Sequence, residues 1–197
     1  MTEELFRADA YARACEAVVL AADGRGIVLD RTVFYPLGGG QPGDSGVLRL
    51  AGGGSIEITD CFKDRDTGEH IHVAAEGAAL PEIGAAVTAE IDWRRRHRMM
   101  RMHTALHLLC AVVEGGVTGG SIGPDKSRLD FDLPDTALDK AHIEAELNRL
   151  VDENFAVAVS SLTDAELDAN PDLVRTMSVK PPSGAGHVRT IDIAGTD

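Results

Sequence analysis

The sequence predicts an α+β chain in two parts. Residues 1–91 read as all-β, a small barrel or sandwich, and residues 92–197 as an α+β domain led by one long helix. Three observations carry this. Short segments that alternate apolar and polar residues recur at about ten-residue spacing in the first part. From Asp92 to Glu114 there is neither Gly nor Pro, and good helix formers dominate. Beyond that, helical and strand patterns alternate. Aromatic residues are only 4% of the chain, so the core must come largely from Ala, Val, Leu and Ile.

Taken in order, Glu16–Leu20 and Gly26–Asp30 flank Asp23-Gly24-Arg25, a hairpin-type turn. Gly46–Leu50 and Ser55–Asp60 alternate around Gly52-Gly53-Gly54, and His70–Val73 and Ala86–Ile91 follow the same pattern. No helix-period segment interrupts these strands after residue 15. The helix over Asp92–Glu114 is basic in its first half, which should reach solvent. It is apolar nearly all round in its second half, which should be buried, and Gly115-Gly116 ends it. Ser127–Leu133 reads as a strand that Pro134 terminates. Thr136–Asn154 is an amphipathic helix with Leu138, Ile143, Leu147, Leu150 and Val151 on one side. Ala156–Ser160 is a strand, Thr163 caps a short helix that ends before Pro171, and Gly186–Ile193 is a last strand.

Composition excludes several classes. Apolar residues at 44% and charged residues at 26% describe a folded chain, not a disordered one. No apolar run approaches the ~18 residues of a membrane span, and Met1-Thr2-Glu3-Glu4 is not a secretory start. Three scattered cysteines, Cys15, Cys61 and Cys110, do not suggest a disulfide framework. A soluble, cytoplasmic protein is expected. The net charge of −13 argues against a general nucleic-acid binder. Even so, Arg94, Arg95, Arg96, Arg98 and Arg101 form a local basic run that could hold a phosphate backbone or be a solvated helix face.

His103 and His107 lie one helical turn apart on one face, a spacing that lets two imidazoles reach one metal ion. Two hydrogen-bonded core histidines would give the same spacing. Thr104 stands where a metalloprotease helix would carry Glu, so that class is excluded. In Phe34–Asp44, Gly38, Gly39 and Gly40 precede Gln41-Pro42, so a ligand could approach the backbone closely; a tight barrel loop is the alternative. The loop is neither a Walker loop nor a dinucleotide fingerprint. His70 and His72 share a strand face, the pattern of exposed residues. Cys110, on an apolar helix, reads as packing.

Arg31–Asp44, Asp92-Trp93-Arg94-Arg95-Arg96, His103-Thr104-Ala105-Leu106-His107, Gly123–Phe131 and Val179-Lys180-Pro181-Pro182 occur in this order. Together they resemble the editing region of alanyl-tRNA synthetase and its free-standing relatives, the AlaX trans-editing proteins, over nearly the whole chain. The glycine-rich loop makes it similar to the medium-length class. The resemblance implies a small β-barrel followed by an α+β domain with a zinc site, and hydrolysis of tRNA(Ala) mischarged with Ser, and in addition with Gly.

His103 and His107 would be two of four zinc ligands. The other two belong, in that family, to a Cys-Gly-Gly-Thr-His element expected about where this sequence stops at Ile193–Asp197, so the chain reads as C-terminally incomplete. His187 does not sit in that element. Thr104 and Gln41 are the polar groups expected to recognise the seryl hydroxyl. Gly38, Gly39, Gly40, the Arg94–Arg96 run and Lys126 are the expected tRNA contacts. Three other readings stay open: a tRNA-binding module without catalysis, a zinc hydrolase of another small ester, and a structural fragment whose His pair is core.

Overall fold

The computed structural model describes residues 2–133, 138–170 and 186–194. Twelve strands and four helices are found among them: β1 (Glu3–Glu4), α1 (Leu5–Ala8), β2 (Ala14–Asp23), β3 (Gly26–Leu29), β4 (Arg31–Thr32), β5 (Gly46–Leu50), β6 (Ser55–Lys63), β7 (His70–Ala74), β8 (Ala86–Ile91), α2 (Trp93–Val112), β9 (Gly116–Ser121), β10 (Arg128–Asp132), α3 (Lys140–Glu153), β11 (Val157–Thr163), α4 (Asp164–Ala169) and β12 (His187–Ile193). The chain forms two compact units, Met1–Met100 with Ile122–Lys126, and Arg101–Ser121 with Ser127–Asp197. The first unit thus continues past residue 91 into the opening turns of α2.

The first unit is a closed barrel in the order β2-β3-β7-β6-β5-β8, so the sandwich alternative falls. Closure follows from the length of β2: its ten residues pair with β3 at one end and β8 at the other, with Ala17 opposite Val87. A register shift between Val19 and Ala21 bends the strand between its two partners. The alternation read from sequence becomes the inward face, where Val19, Ile27, Leu29, Leu48, Ile58, Val87 and Ala89 are all buried. Phe34 is also fully buried there. Every strand of this barrel has two neighbours, so no edge is left to cover.

His70 and His72 correct the sequence reading. Both are buried, because the barrel interior covers one side of β7 and the Glu4–Phe6 segment lies at His70. His72 Nδ1 donates to the Ile27 carbonyl at 2.9 Å, so its Nε2 accepts from Thr32 Oγ1 at 2.8 Å. Complete burial pushes this imidazole down to about 4, against the pull of the Ile27 hydrogen bond. His70 Nε2 meets Glu4 Oε1 at 2.9 Å. Burial alone would raise the Glu4 carboxyl, yet the hydrogen bonds from Lys63, Arg7 and His70 outweigh it and bring it to about 2.

In the second unit, β9 pairs with β10 and β11 with β12, both antiparallel and each a separate two-stranded sheet. The sequence did not show β9, whose Gly116-Val-Thr-Gly-Gly-Ser121 offers little strand propensity. Its backbone pairing with β10 makes it a strand, and at Gly120 an added Cβ would stand 2.9 Å from the Arg128 carbonyl oxygen. Asp139 caps α3, accepting from the amides of Ala141 at 3.0 Å and His142 at 3.1 Å. The expected apolar stripe of α3 is only partly covered: Leu150 is buried, whereas Leu138 and Val151 are exposed. Thr163 caps α4, as the sequence suggested, and Glu166 completes a capping box with it. Pro134, Thr136 and the Val179–Pro182 motif lie outside the described residues.

Candidate functional site

The glycine loop is a rigid excursion of the barrel. Tyr35 N donates to Asp44 Oδ2 at 2.7 Å, while Asp44 N donates to the Tyr35 carbonyl at 2.9 Å, closing the base of the loop. Leu37 N donates to the Cys61 carbonyl at 2.7 Å. At the tip, Gly38 and Gln41 exchange backbone hydrogen bonds of 3.0 Å each way around Gly39 and Gly40. Those two glycines have φ of 58° and 77°, the signature of a tight turn with both central residues left-handed. A Cβ on Gly39 would meet nothing within 4 Å, so the turn's outer surface is open to a ligand. Gly43 serves packing instead, because a Cβ there would run into the Cys61 carbonyl oxygen.

Gln41 is 6% exposed, and its backbone closes the turn against Gly38. A cleft of about 450 Å³ opens beside the turn, with Gly38, Gly40, Lys63 and Arg65 on its walls together with Asp64 and Asp66. The Gly40 carbonyl accepts from Ile122 N at 2.8 Å. Two motifs far apart in sequence, the glycine loop and Ile122–Lys126, are thereby brought together in one unit. Lys126 is exposed on that segment. Across it, Arg98 pairs with Asp125 at 2.7 Å, an exposed pair of small energetic weight.

The arginine run divides, contrary to the expectation that the basic half of the helix reaches solvent. Arg96 is 3% exposed; its Nε donates to Asp44 Oδ1 and Oδ2 at 3.0 and 2.8 Å, and its Nη2 donates to the Val33 carbonyl at 2.8 Å and to Asp44. Arg95 Nη1 donates to the Gly43 carbonyl at 2.7 Å. Arg96 is therefore a lock between α2 and the glycine loop and is withdrawn from the list of tRNA contacts; Arg95 is half-committed. Arg94 is exposed with no ion-pair partner among the described residues, and Arg65, which the sequence reading missed, has the same character. Isolated in a turn between β6 and β7, Arg65 belongs to no motif that would have revealed it.

In the second unit, the His103 and His107 rings stack with centroids 4.9 Å apart and planes 22° from parallel. Partial desolvation holds both imidazoles below their ordinary value, and the neighbouring His107 adds to the effect on His103. Neutral imidazoles offer lone pairs to a metal, so this pair fits half of a tetrahedral zinc site. No group of three or more His, Cys, Asp or Glu that could complete one occurs among the described residues. At about 100° per residue, Thr104 and the two histidines fall within one arc of α2, with His107 between the other two. Thr104 is half-buried.

Residues 7–95 match the family model described as tRNA synthetases class II (A). Over 99% of its length, the chain is 37% identical to the alanyl-tRNA editing protein AlaX-M of Methanosarcina acetivorans, covering 83% of that protein. It is 32% identical to the AlaX-M protein of Saccharolobus solfataricus over 100% of the chain and 84% of the relative. It also shares 41% identity with the alanine–tRNA ligase of Pyrobaculum aerophilum, over 85% of the chain but 19% of that enzyme. The chain belongs to the AlaX-M family of alanyl-tRNA editing proteins.

Proposed function

We propose that this chain edits alanyl-tRNA by hydrolysing the ester of tRNA(Ala) mischarged with serine, and more slowly with glycine. The observation that carries the reading is the stacked, neutral pair His103 and His107 in a chain similar to editing proteins over 99% of its length. In the reaction, water adds to the aminoacyl carbonyl and the ribose oxygen leaves with a proton, giving free amino acid and uncharged tRNA. His103 and His107 would hold a zinc ion together with further ligands. Bound there, zinc would polarise the carbonyl, acidify water or orient the substrate.

Selection is the harder task, because the correct alanyl ester differs only by lacking the seryl hydroxyl. A site built to hydrogen-bond that hydroxyl disfavours the analogue that leaves its polar groups unpaired. Thr104 Oγ1 and the side-chain amide of the largely buried Gln41 are separate candidates for that contact. Glycyl ester gains nothing from either, which is why its turnover is expected to be slower. The tRNA backbone would meet Gly38, Gly39 and Gly40, the exposed heads of Arg94 and Lys126, and Arg65 beside the cleft, with Arg95 contributing less.

The test measures zinc content and the hydrolysis of seryl-, glycyl- and alanyl-tRNA(Ala), for this chain and for a version carrying the Cys-Gly-Gly-Thr-His element at its C-terminus. Seryl turnover with about one bound zinc, both lost in His103→Ala and with alanyl ester spared, is the expected result. Salt-sensitive tRNA binding without turnover in either version would favour a binding module. Salt-insensitive turnover of small esters alone would favour a different hydrolase. Thr104→Val removes the hydroxyl at nearly constant shape; seryl turnover should fall about 2- to 12-fold, the worth of one hydrogen bond, with zinc content unchanged. An equal seryl rate would remove Thr104 from the role.

A further inference from the structure

In a chain with one Trp and two Tyr, the Trp and one Tyr share a single surface patch. Tyr11 is 62% exposed, and its ring centroid lies 5.5 Å from that of Trp93 at the start of α2. His97, one turn further along, stacks on Trp93 at 5.3 Å with planes 20° apart. The Arg13 guanidinium lies 4.6 Å from the Trp93 ring centroid. Trp93 also packs against the barrel core, so the patch stands on a rigid base. An Asx turn presents Tyr11, its amide donating to Asp9 Oδ1 at 2.8 Å.

Arg13 has no ion-pair partner among the described residues; its guanidinium lies over the Trp93 ring instead. Of the carboxylates close in sequence, Glu90 pairs with Arg49, while Asp9 and Asp92 accept from the Tyr11 and Arg95 amides and keep their charge. Packing alone explains Trp93, whose surroundings shield one end of the barrel. It does not explain why the outermost ring is left 62% exposed beside an exposed arginine in an acidic protein. Exposed aromatic rings interleaved with free arginines form the usual platform for unpaired nucleotides: the ring takes a base face, and the cations meet the flanking phosphates.

We propose that Tyr11, supported by Trp93 and His97 and flanked by Arg13, stacks an unpaired base of the bound tRNA. This rests on the tRNA reading above and adds a contact outside both the glycine loop and the His pair. It predicts a preference for single-stranded over duplex RNA, since a paired base offers no free face.

The chain's single tryptophan, Trp93, supplies the reporter. Its fluorescence is followed while a short single-stranded RNA, a blunt RNA duplex of the same composition, or tRNA(Ala) is added. Single-stranded RNA and tRNA should perturb the emission and the duplex should not. Tyr11→Ala should weaken tRNA binding about tenfold and Tyr11→Phe should restore it, because the ring and not the hydroxyl stacks. Arg13→Gln should lower the salt slope of binding by about one, and it decides the matter by itself if Tyr11→Ala melts early. Equal tRNA affinity in wild type and Tyr11→Ala, or equal response to duplex and single strand, would overturn the platform while leaving tRNA binding intact. Failure of the wild-type chain to bind any of the three RNAs would overturn the tRNA reading itself, and the platform with it.

Discussion

The two units of this chain solve the same problem differently. In the barrel unit, each strand of the closed sheet has two neighbours, and one interior holds a continuous apolar cluster from Ala17 to Ile91. In the second unit, the buried hydrophobics among the described residues are Leu108, Val113, Val117 and Leu150. There β11 is exposed along most of its length, with Val157 at 52% and Val159 at 62% exposure. A closed sheet pairs its own backbone and hides its own interior, whereas a two-stranded ribbon can do neither alone. The barrel therefore affords stiffness enough to bury charge and neutral histidine. The other unit carries the candidate metal ligands on a helix whose side chains remain reachable.

That contrast can be broken first at Arg96. Replacing it with Leu strands Asp44 as a buried, unpaired carboxylate, for which the expected destabilisation is about 3–5 kcal/mol. Urea midpoints would show it. An unchanged midpoint, with a loss of tRNA affinity instead, would return Arg96 to the RNA-binding surface and make the buried pair dispensable.

Acid should act next, and on the barrel. The unfolded chain protonates His72 near pH 6.5, whereas the folded barrel refuses that proton until about 4. The contribution is complete above 6.5 and is lost progressively as pH falls towards 4. The gap corresponds to about 3 kcal/mol. Glu4 acts in the same direction only below its ordinary value, as pH falls from 4.5 towards about 2. His70, His103 and His107 are also held below their ordinary value, so the midpoint change between pH 6.5 and 4.5 is compared with that of His72→Gln: an equal change in both would mean that His72 is not closed off from solvent protons. The smallest expected effect is at Arg94→Gln, where stability should hold within about 0.5 kcal/mol while the salt slope of tRNA binding falls by about one. A stability loss matching that of Arg96→Leu would erase the division of the arginine run.

Most of the secondary structure was legible because both periodicities were clean. Strand bounds at Gly46–Leu50 and Ala86–Ile91 match those read from alternation, and α2 ends within two residues of Glu114. The strand β9 was hidden because glycine carries no side-chain pattern, and the short β1 and β4 because two residues make no period. Of the candidate site, the His103–His107 pair could be read from helical spacing, since residues four apart share a face whatever surrounds the helix. Arg94 and Arg96 could not be told apart by type or spacing. Their difference lies in Asp44, fifty-two residues away in sequence from Arg96.

The sequence by itself determined where most strands and helices lie, that one helix bears both the basic run and the paired imidazoles, and that glycines gather at one loop. Each of these depends on local propensity and short-range spacing. Tertiary structure alone decided that the sheet closes, that His70 and His72 are inside it, and that Arg96 is a lock and Arg94 a free cation. It also set Tyr11 and Arg13 around Trp93. Burial and ion pairing are properties of neighbours far apart along the chain, and no single residue's chemistry carries that information until the chain has folded.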